Sequence, residues 1–344
     1  MRVERANCTS PIMNCVATIG SFDGVHRGHQ CLLGQVRRIA DERDLRAIAI
    51  TFGTSPKRVL GMVEAPQLTT TEERTALLHQ MGMDEVKVLD FTPQMAEMSA
   101  RDFMQQVLRE QLQVEVLVIG YDHRFGRGRA EGFDDYVRYG HEMGIEVVRG
   151  EACIEDGKPI SSTRIRDLLT DGKVDEATHL LGYHYTLHGE VVGGYREGRK
   201  MGFPTANISP FDGQQTTDNR QQTADKACAC KLIPADGVYA VWVNVNDNEN
   251  DDENENGQSS KLGARGSGLK GMLNIGYRPT LNNGRKRSIE VHILDFEGDL
   301  YGKTITVKFA QRLRDERTFA SLEELTEQLQ KDRERVRMLL VAEQ

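Results

Sequence analysis

Through the first half of the chain, short apolar runs alternate with stretches of helix length. The runs CVATIG (15–20), LRAIAITF (45–52), EVKVLDF (85–91), EVLVIG (115–120) and IEVV (145–148) are rich in Val and Ile. Several are apolar at consecutive positions, the pattern of strands in a parallel sheet covered on both faces. Between them, 28–43, 71–82, 99–112 and 133–143 have the length of helices. The alternation predicts a doubly wound α/β domain.

After about residue 183 the pattern changes. YTLHGEVV (185–192), GVYAVWVNV (237–245), LKGMLNIG (269–276), SIEVHILDF (288–296) and KTITVKFA (303–310) follow one another with no helical stretch between them. They predict a small antiparallel β-barrel or sandwich. A helical run, SLEELTEQLQKDRERVRMLL (321–340), follows, with Ser321 and Glu324 spaced as a capping box. The expected domains are therefore 1–183 and 184–344, in keeping with a length too great for one ordinary core. Residues 212–233 and 246–267 lack apolar periodicity and read as loops.

Charge and cysteine content narrow the class. The net charge is −8, but NDNENDDENEN (246–256) holds six acids and no base, so the acidity is mostly one solvated segment. No clustered Lys/Arg face suggests nucleic-acid binding. No apolar run reaches the ~20 residues of a membrane helix. The first twenty residues lack a signal-peptide pattern, so a cytoplasmic location is expected. The six cysteines show no zinc-site spacing and read as free thiols.

The candidate chemistry begins where the first strand ends, in ATIGSFDGVHRGHQCLL (17–33). Ligands of open α/β sheets bind at the carboxyl ends of strands, and a helix N-terminus favours an anion. Gly20, Gly24 and Gly28 let backbone approach a ligand closely, while His26 and His29, three apart, can share one side of the helix entrance. Imidazoles there can stabilise charge building on an α-phosphate as pyrophosphate leaves. A second cluster, ISSTRIRDLL (160–169), sets Ser161, Ser162 and Thr163 at a helix start, with Arg164 and Arg166 close by, a group suited to the outer phosphates of ATP. In the second half, GRKMGFPTANI (198–208) follows a glycine-rich basic loop. Thr205 and Asn207 are neutral oxygen donors fit for a magnesium ion that also holds ATP phosphates. Glu290, on an alternating strand, is a possible general base, or an outward-facing surface carboxylate.

GSFDGVHRGHQ with ISSTRIR resembles the adenylyltransferase module of the bacterial bifunctional riboflavin kinase/FAD synthetase family. GYDHRFGRGRAEG (120–132) and LTTTEERTALL (68–78) fit the same family. PTAN, GVYAVWV, NIGYRPT, IEVHILDFEGDLYGK and LRDERTF occur in the order seen in its riboflavin kinases. The resemblance implies phosphorylation of riboflavin to FMN by the C-terminal domain and adenylylation of FMN to FAD by the N-terminal one, both with ATP and Mg²⁺. It implies ATP contacts at Gly20, Phe22, Asp23, Gly24, Ser55, Ser161, Ser162, Thr163, Arg166, Gly198, Lys200 and Gly202. By the same resemblance, flavin contacts fall at Asp122, Arg124, Arg314 and Glu316, metal contacts at Thr205 and Asn207, and catalysis at His26, His29 and Glu290. Two departures stand out. Thr54 and Ser55 occupy positions where the family carries Pro and His or Asn, and His123 replaces an aromatic residue. They motivate one rival, a kinase with a degenerate transferase domain; the other alternative, a flavin-binding regulator without turnover, is opposed by the intact His26, His29, Thr205, Asn207 and Glu290.

Overall fold

The computed structural model describes residues 14–155, 157–193, 202–210, 231–246, 268–279 and 285–341. The segments read as loops, 212–233 and 246–267, lie outside the described residues apart from 231–233 and 246, as do Gly198 and Lys200. The chain divides into two compact units, Met1–Ser161 and Ser162–Gln344.

In the first unit, strands β1 (Cys15–Ile19), β2 (Arg46–Phe52), β3 (Glu85–Leu89), β4 (Val114–Ile119) and β5 (Glu146–Arg149) form a parallel sheet in the order β3-β2-β1-β4-β5. A two-stranded ribbon, β6 (Ile154–Glu155) and β7 (Lys158–Pro159), follows. The helices are α1 (Arg27–Arg43), α2 (Pro56–Val59), α3 (Thr71–Gln80), α4 (Pro93–Ala96), α5 (Ala100–Phe103) and α6 (Phe133–Met143). All five residues of β1 are buried. Cys15, Ala17 and Ile19 join the core on one face and Val16 the core on the other, so the consecutive apolar positions have the two-sided cover they require. Helix α1 buries Leu32, Leu33, Val36 and Ala40, one stripe of helical spacing.

The helix expected over 99–112 is present with a different inner geometry. One α-turn, α5, runs into a π-helix over Met104–Gln111, where the Leu112 amide bonds the Val107 carbonyl. The wider turn still buries Met104, Val107 and Leu108 against the sheet. Only a glycine fits at position 140, because a Cβ there would collide with the Ile145 carbonyl and lie 2.7 Å from the Val147 side chain.

The second unit opens with α7 (Ser162–Thr170) and α8 (Val174–Leu181). Strands β8 (Thr186–Val192), β9 (Ala206–Pro210), β10 (Gly237–Asn246), β11 (Leu269–Pro279), β12 (Arg285–Ile293) and β13 (Thr304–Arg314) close an antiparallel barrel in the order β10-β11-β12-β9-β8-β13. Helix α9 (Leu322–Leu339) is capped as expected, the Ser321 side chain accepting from the Glu324 amide. The contact division precedes the expected 183/184 boundary because α7 and α8 associate with the barrel. The Ala235 amide bonds the Leu169 carbonyl, for example. Strand β9 is absent from the hydropathy reading: five residues long, it buries only Ile208 fully and ends in proline. Among the described residues no helix is long and apolar enough to cross a membrane.

Candidate active sites

In the first unit, β1 lies between β2 and β4, so the chain winds outward in opposite directions from the β1/β4 pair. The crevice at the carboxyl ends of these two strands is the switch point at which open sheets take ligands. The β1–α1 turn is strained there: Phe22, Gly24 and Val25 have φ of 47°, 81° and 34°. A left-handed β-branched valine costs on the order of 1–3 kcal/mol, so neighbouring contacts must enforce it. Asp23 is the tie. Its carboxylate accepts from the amides of Leu68 (2.9 Å) and Thr69 (3.0 Å) and from the Thr69 hydroxyl (3.2 Å), while Thr69 Oγ1 accepts from the Gly24 amide (3.0 Å). Arg74, also buried, donates to the carbonyls of Ser21 (3.1 Å) and Phe52 (2.7 Å), joining the ends of β1 and β2. The structure thus buries Asp23 and Phe22 in the frame of the turn. Thr69 and Arg74 were not singled out from the sequence, although the stretch 68–78 that carries them was.

The histidines stack, with ring centroids 3.7 Å apart and planes at 15°. His26 is the N-cap of α1, and its Nδ1 accepts from the His29 amide (3.3 Å). Its ring proton therefore sits on Nε2. Gly28 makes room for this ring: a Cβ there would lie 3.1 Å from His26 Nδ1. Phe22 meets His29 edge-on at 5.3 Å. Burial, with repulsion from His26 and His123, holds the His29 imidazole well below the usual range, so it is neutral at pH 7.

His123, in the turn after β4, is the third member of the group. Burial, then repulsion by Arg129, brings its imidazole down to about 4 against a pull upward from Asp122. Among the described residues, His29 Nδ1 and His123 Nε2 are both buried without a hydrogen-bond partner. Unsatisfied polar atoms cost about 1–3 kcal/mol each, and at a crevice they mark positions a ligand can satisfy. Asp122 and Arg124 flank His123 and are exposed, whereas Phe125 stacks on buried Tyr136 at 4.3 Å. Ser55 caps α2 by position only, its hydroxyl making no capping bond. Ser161 ends the first unit, and Ser162, Thr163 and Arg166 open α7 of the second.

Acid should weaken the first unit through these rings. The folded-state value of His123 lies below its unfolded value of about 6.5, so its contribution is complete above that pH and is lost as pH falls toward 4. At ~1.4 kcal/mol per unit, this one group accounts for ~3 kcal/mol. Thermal unfolding followed by circular dichroism at pH 7.5 and 4.5 should show a larger loss for the parent than for His123→Phe. Equal losses would remove His123 as the cause.

In the second unit, β9 brings Asn207 opposite Glu290 on β12. Thr205 donates its hydroxyl to Glu290 Oε2 and Ser288 to Oε1, both at 3.3 Å. The alternation expected for this strand holds: Ile289, Val291 and Ile293 are buried together, and Glu290 lies on the opposite face. His292, also buried, bonds the Pro204 carbonyl through Nδ1 (2.8 Å) and meets Phe203 edge-on at 5.3 Å, fixing the PTAN segment. Beside it lies a cavity of about 560 Å³ bordered by Pro204, Thr205 and the 296–301 loop, including Tyr301. Tyr301 is 42% exposed. Arg314, expected on the flavin side, pairs with buried Asp332 of α9 at 2.9 Å. Glu316 lies over Gly276, where a Cβ would collide with its carboxylate. Gly202, at the edge of the described residues, has φ of 79°.

Among the described residues no three His, Cys, Asp or Glu side chains group to hold a metal. Thr205 and Asn207 still offer the few oxygen donors that suit Mg²⁺ bound largely by phosphate and water.

The profile of the FAD synthetase family matches residues 9–164, and that of the riboflavin kinase family matches 181–340. The bifunctional riboflavin kinase/FMN adenylyltransferase of Escherichia coli (strain K12) is 36% identical over 94% of this chain and 92% of its own length. That of Bacillus subtilis (strain 168) is 33% identical over 93% and 90%. A crystal structure from Streptococcus pneumoniae, described as a macrolide-efflux protein, superposes with a TM-score of 0.78 at 30% identity, covering 95% of both chains.

Proposed function

We propose residue roles for a chain that belongs to the bifunctional riboflavin kinase/FMN adenylyltransferase family, and that converts riboflavin to FMN and FMN to FAD with ATP as donor. In the kinase reaction the ribityl 5′-hydroxyl attacks the γ-phosphorus of ATP. Glu290 takes the hydroxyl proton, and Thr205 and Ser288 hold its carboxylate in one orientation. Thr205 and Asn207 would hold Mg²⁺, which when bound offsets charge on the transferring phosphoryl group. The cavity beside PTAN suits the nucleotide, with Gly198, Lys200 and Gly202 assigned to its phosphates by their motif. Glu316 and Arg314 stay assigned to the flavin side by sequence order alone.

In the transferase reaction the FMN phosphate attacks the α-phosphorus of ATP and pyrophosphate leaves. His26 and His29 stabilise the charge that builds there, as neutral donors at the positive end of α1. Gly20 and Gly24 allow backbone approach, Phe22 and Asp23 shape the turn, and Ser55 donates to phosphate with a hydroxyl not used in capping. Ser161, Ser162, Thr163 and Arg166 rest on their motif, as do Asp122 and Arg124 for FMN. The kinase match beginning at 181 supports 183/184 as the functional boundary. Dependence of both steps on ATP supports a cytoplasmic location.

The observation that carries this reading is the pair of unpartnered buried imidazole nitrogens at the switch point, an arrangement that turn packing alone does not require. Purified protein given riboflavin, ATP and Mg²⁺ should yield FMN and then FAD when flavins are separated over time, and chelation should stop both steps. FMN accumulating without FAD, even when FMN is supplied, would refute the transferase roles and point to Ser55 and His123 as marks of a degenerate domain.

A further inference from the structure

Helix α1 and the segment after β5 run side by side in a fixed register. Arg27 pairs with Glu155 at 3.1 Å, and the side chain of Gln35 accepts from the Glu151 amide at 3.1 Å. Midway between these contacts lie Cys31 on the helix and Cys153 on the segment. Four helical residues rise ~6 Å, and two extended residues span ~6.6 Å. The pairs 27/155, 31/153 and 35/151 therefore fall on one matched line, which places the two thiols face to face. Close approach is maintained at Gly150, where a Cβ would lie 2.5 Å from Leu32 Cδ1. The two thiols lie close enough for Cys153 to raise the Cys31 thiol. Neither cysteine is in a disulfide; Cys31 is exposed and Cys153 half-buried.

We propose that Cys31 and Cys153 are a reversible dithiol modification site, closed by exchange with a small-molecule disulfide. The Cys153 thiolate attacks one sulfur of that disulfide, forming a mixed disulfide and releasing one thiolate. Cys31, its proton passed to water, attacks the Cys153 sulfur and releases the second thiolate. The two cysteines are oxidised, the small disulfide is reduced to two thiols, and excess dithiol reverses the sequence. Desolvation of the thiol group, exposed though the residue is, and the hydrogen bond with Cys153 push the Cys31 thiol up to about 11, with Arg27 the facing cation that opposes them. Closure is accordingly slow at neutral pH. The bond fastens the 151–155 segment to the helix that begins at the stacked histidines and closes a loop of roughly 120 residues, which restricts the unfolded chain strongly.

The test uses the full-length protein with excess oxidised glutathione at pH 8, followed by acid quench, alkylation of remaining thiols, digestion and mass spectrometry. The expected product is a cross-linked pair of peptides holding Cys31 and Cys153, lighter by two hydrogens and absent after dithiothreitol. The first thermal transition should rise by about 5–10 °C on oxidation, with no rise in Cys153→Ser. Glutathione retained singly on either cysteine with no cross-link, or Cys31 joined chiefly to another cysteine, would overturn the proposal. So would a Cys153→Ser protein that gains the same thermal shift.

Discussion

Replacement of His29 by alanine should lower FAD formation by about two to three orders of magnitude while FMN formation from riboflavin continues at the parent rate. The size follows from the surroundings of this ring. It is stacked on His26 at 3.7 Å, braced edge-on by Phe22, and carries a buried Nδ1 without a partner. A donor held this rigidly in a poorly hydrated crevice needs little rearrangement as charge develops on the α-phosphate, the condition under which one hydrogen bond has its largest catalytic effect. Because the ring is held neutral, the transferase rate should not follow a histidine titration between pH 6 and 7. Assays with FMN and ATP as sole substrates give the rate, and parallel assays with riboflavin report the kinase. Loss of both activities in a folded variant would contradict two independent sites. A wild-type FAD-forming rate would remove His29 from the mechanism.

Replacement of Glu290 by glutamine should have the converse effect. FMN formation falls by about 10²–10⁴-fold, the range for loss of a general base, and supplied FMN is still converted to FAD. Glutamine keeps the shape of the side chain; its carbonyl oxygen accepts from one of the Thr205 and Ser288 hydroxyls and its NH₂ donates to the other, so the β9–β12 junction is preserved. The substitution therefore separates loss of proton acceptance from loss of structure. A drop in kcat with little change in the KM for ATP is expected, with an unchanged thermal transition. A variant that retains full kinase activity would show Glu290 to be only an anchor for Thr205.

These two outcomes rest on different kinds of information in the chain. The strands of the sheet are legible from their runs of Val and Ile, and α1 from its stripe of Leu32, Leu33, Val36 and Ala40, because local periodicity reports directly which faces are buried. The spacing of His26 and His29 is likewise local: three residues at a helix entrance bring two rings onto one side. PTAN and the strand with Glu290 are each readable, as is the cap formed by Ser321. The motif order further identifies the family, and the whole-chain relatives bear that out.

Other features are decided by partners distant in sequence. Asp23 is expected from its motif to contact ATP, and amides 45 and 46 residues away hold its carboxylate. His123 reads as a lone substitution for an aromatic residue until the order β3-β2-β1-β4-β5 sets the end of β4 beside that of β1. Strand β9 has almost no hydropathy signal, and only pairing with β8 and β12 makes it a strand, which brings Asn207 opposite Glu290. The boundary at 161/162 reflects the association of α7 and α8 with the barrel, which no composition change announces. The sequence by itself determined most of the elements, the two-part organisation and the chemistry each part carries, because these depend on residues close together along the chain. Only the tertiary structure decided which polar groups are taken up by the frame, which imidazole nitrogens lack a hydrogen bond among the described residues and which thiols are brought together. Those depend on strand order and register, which contacts between distant residues select.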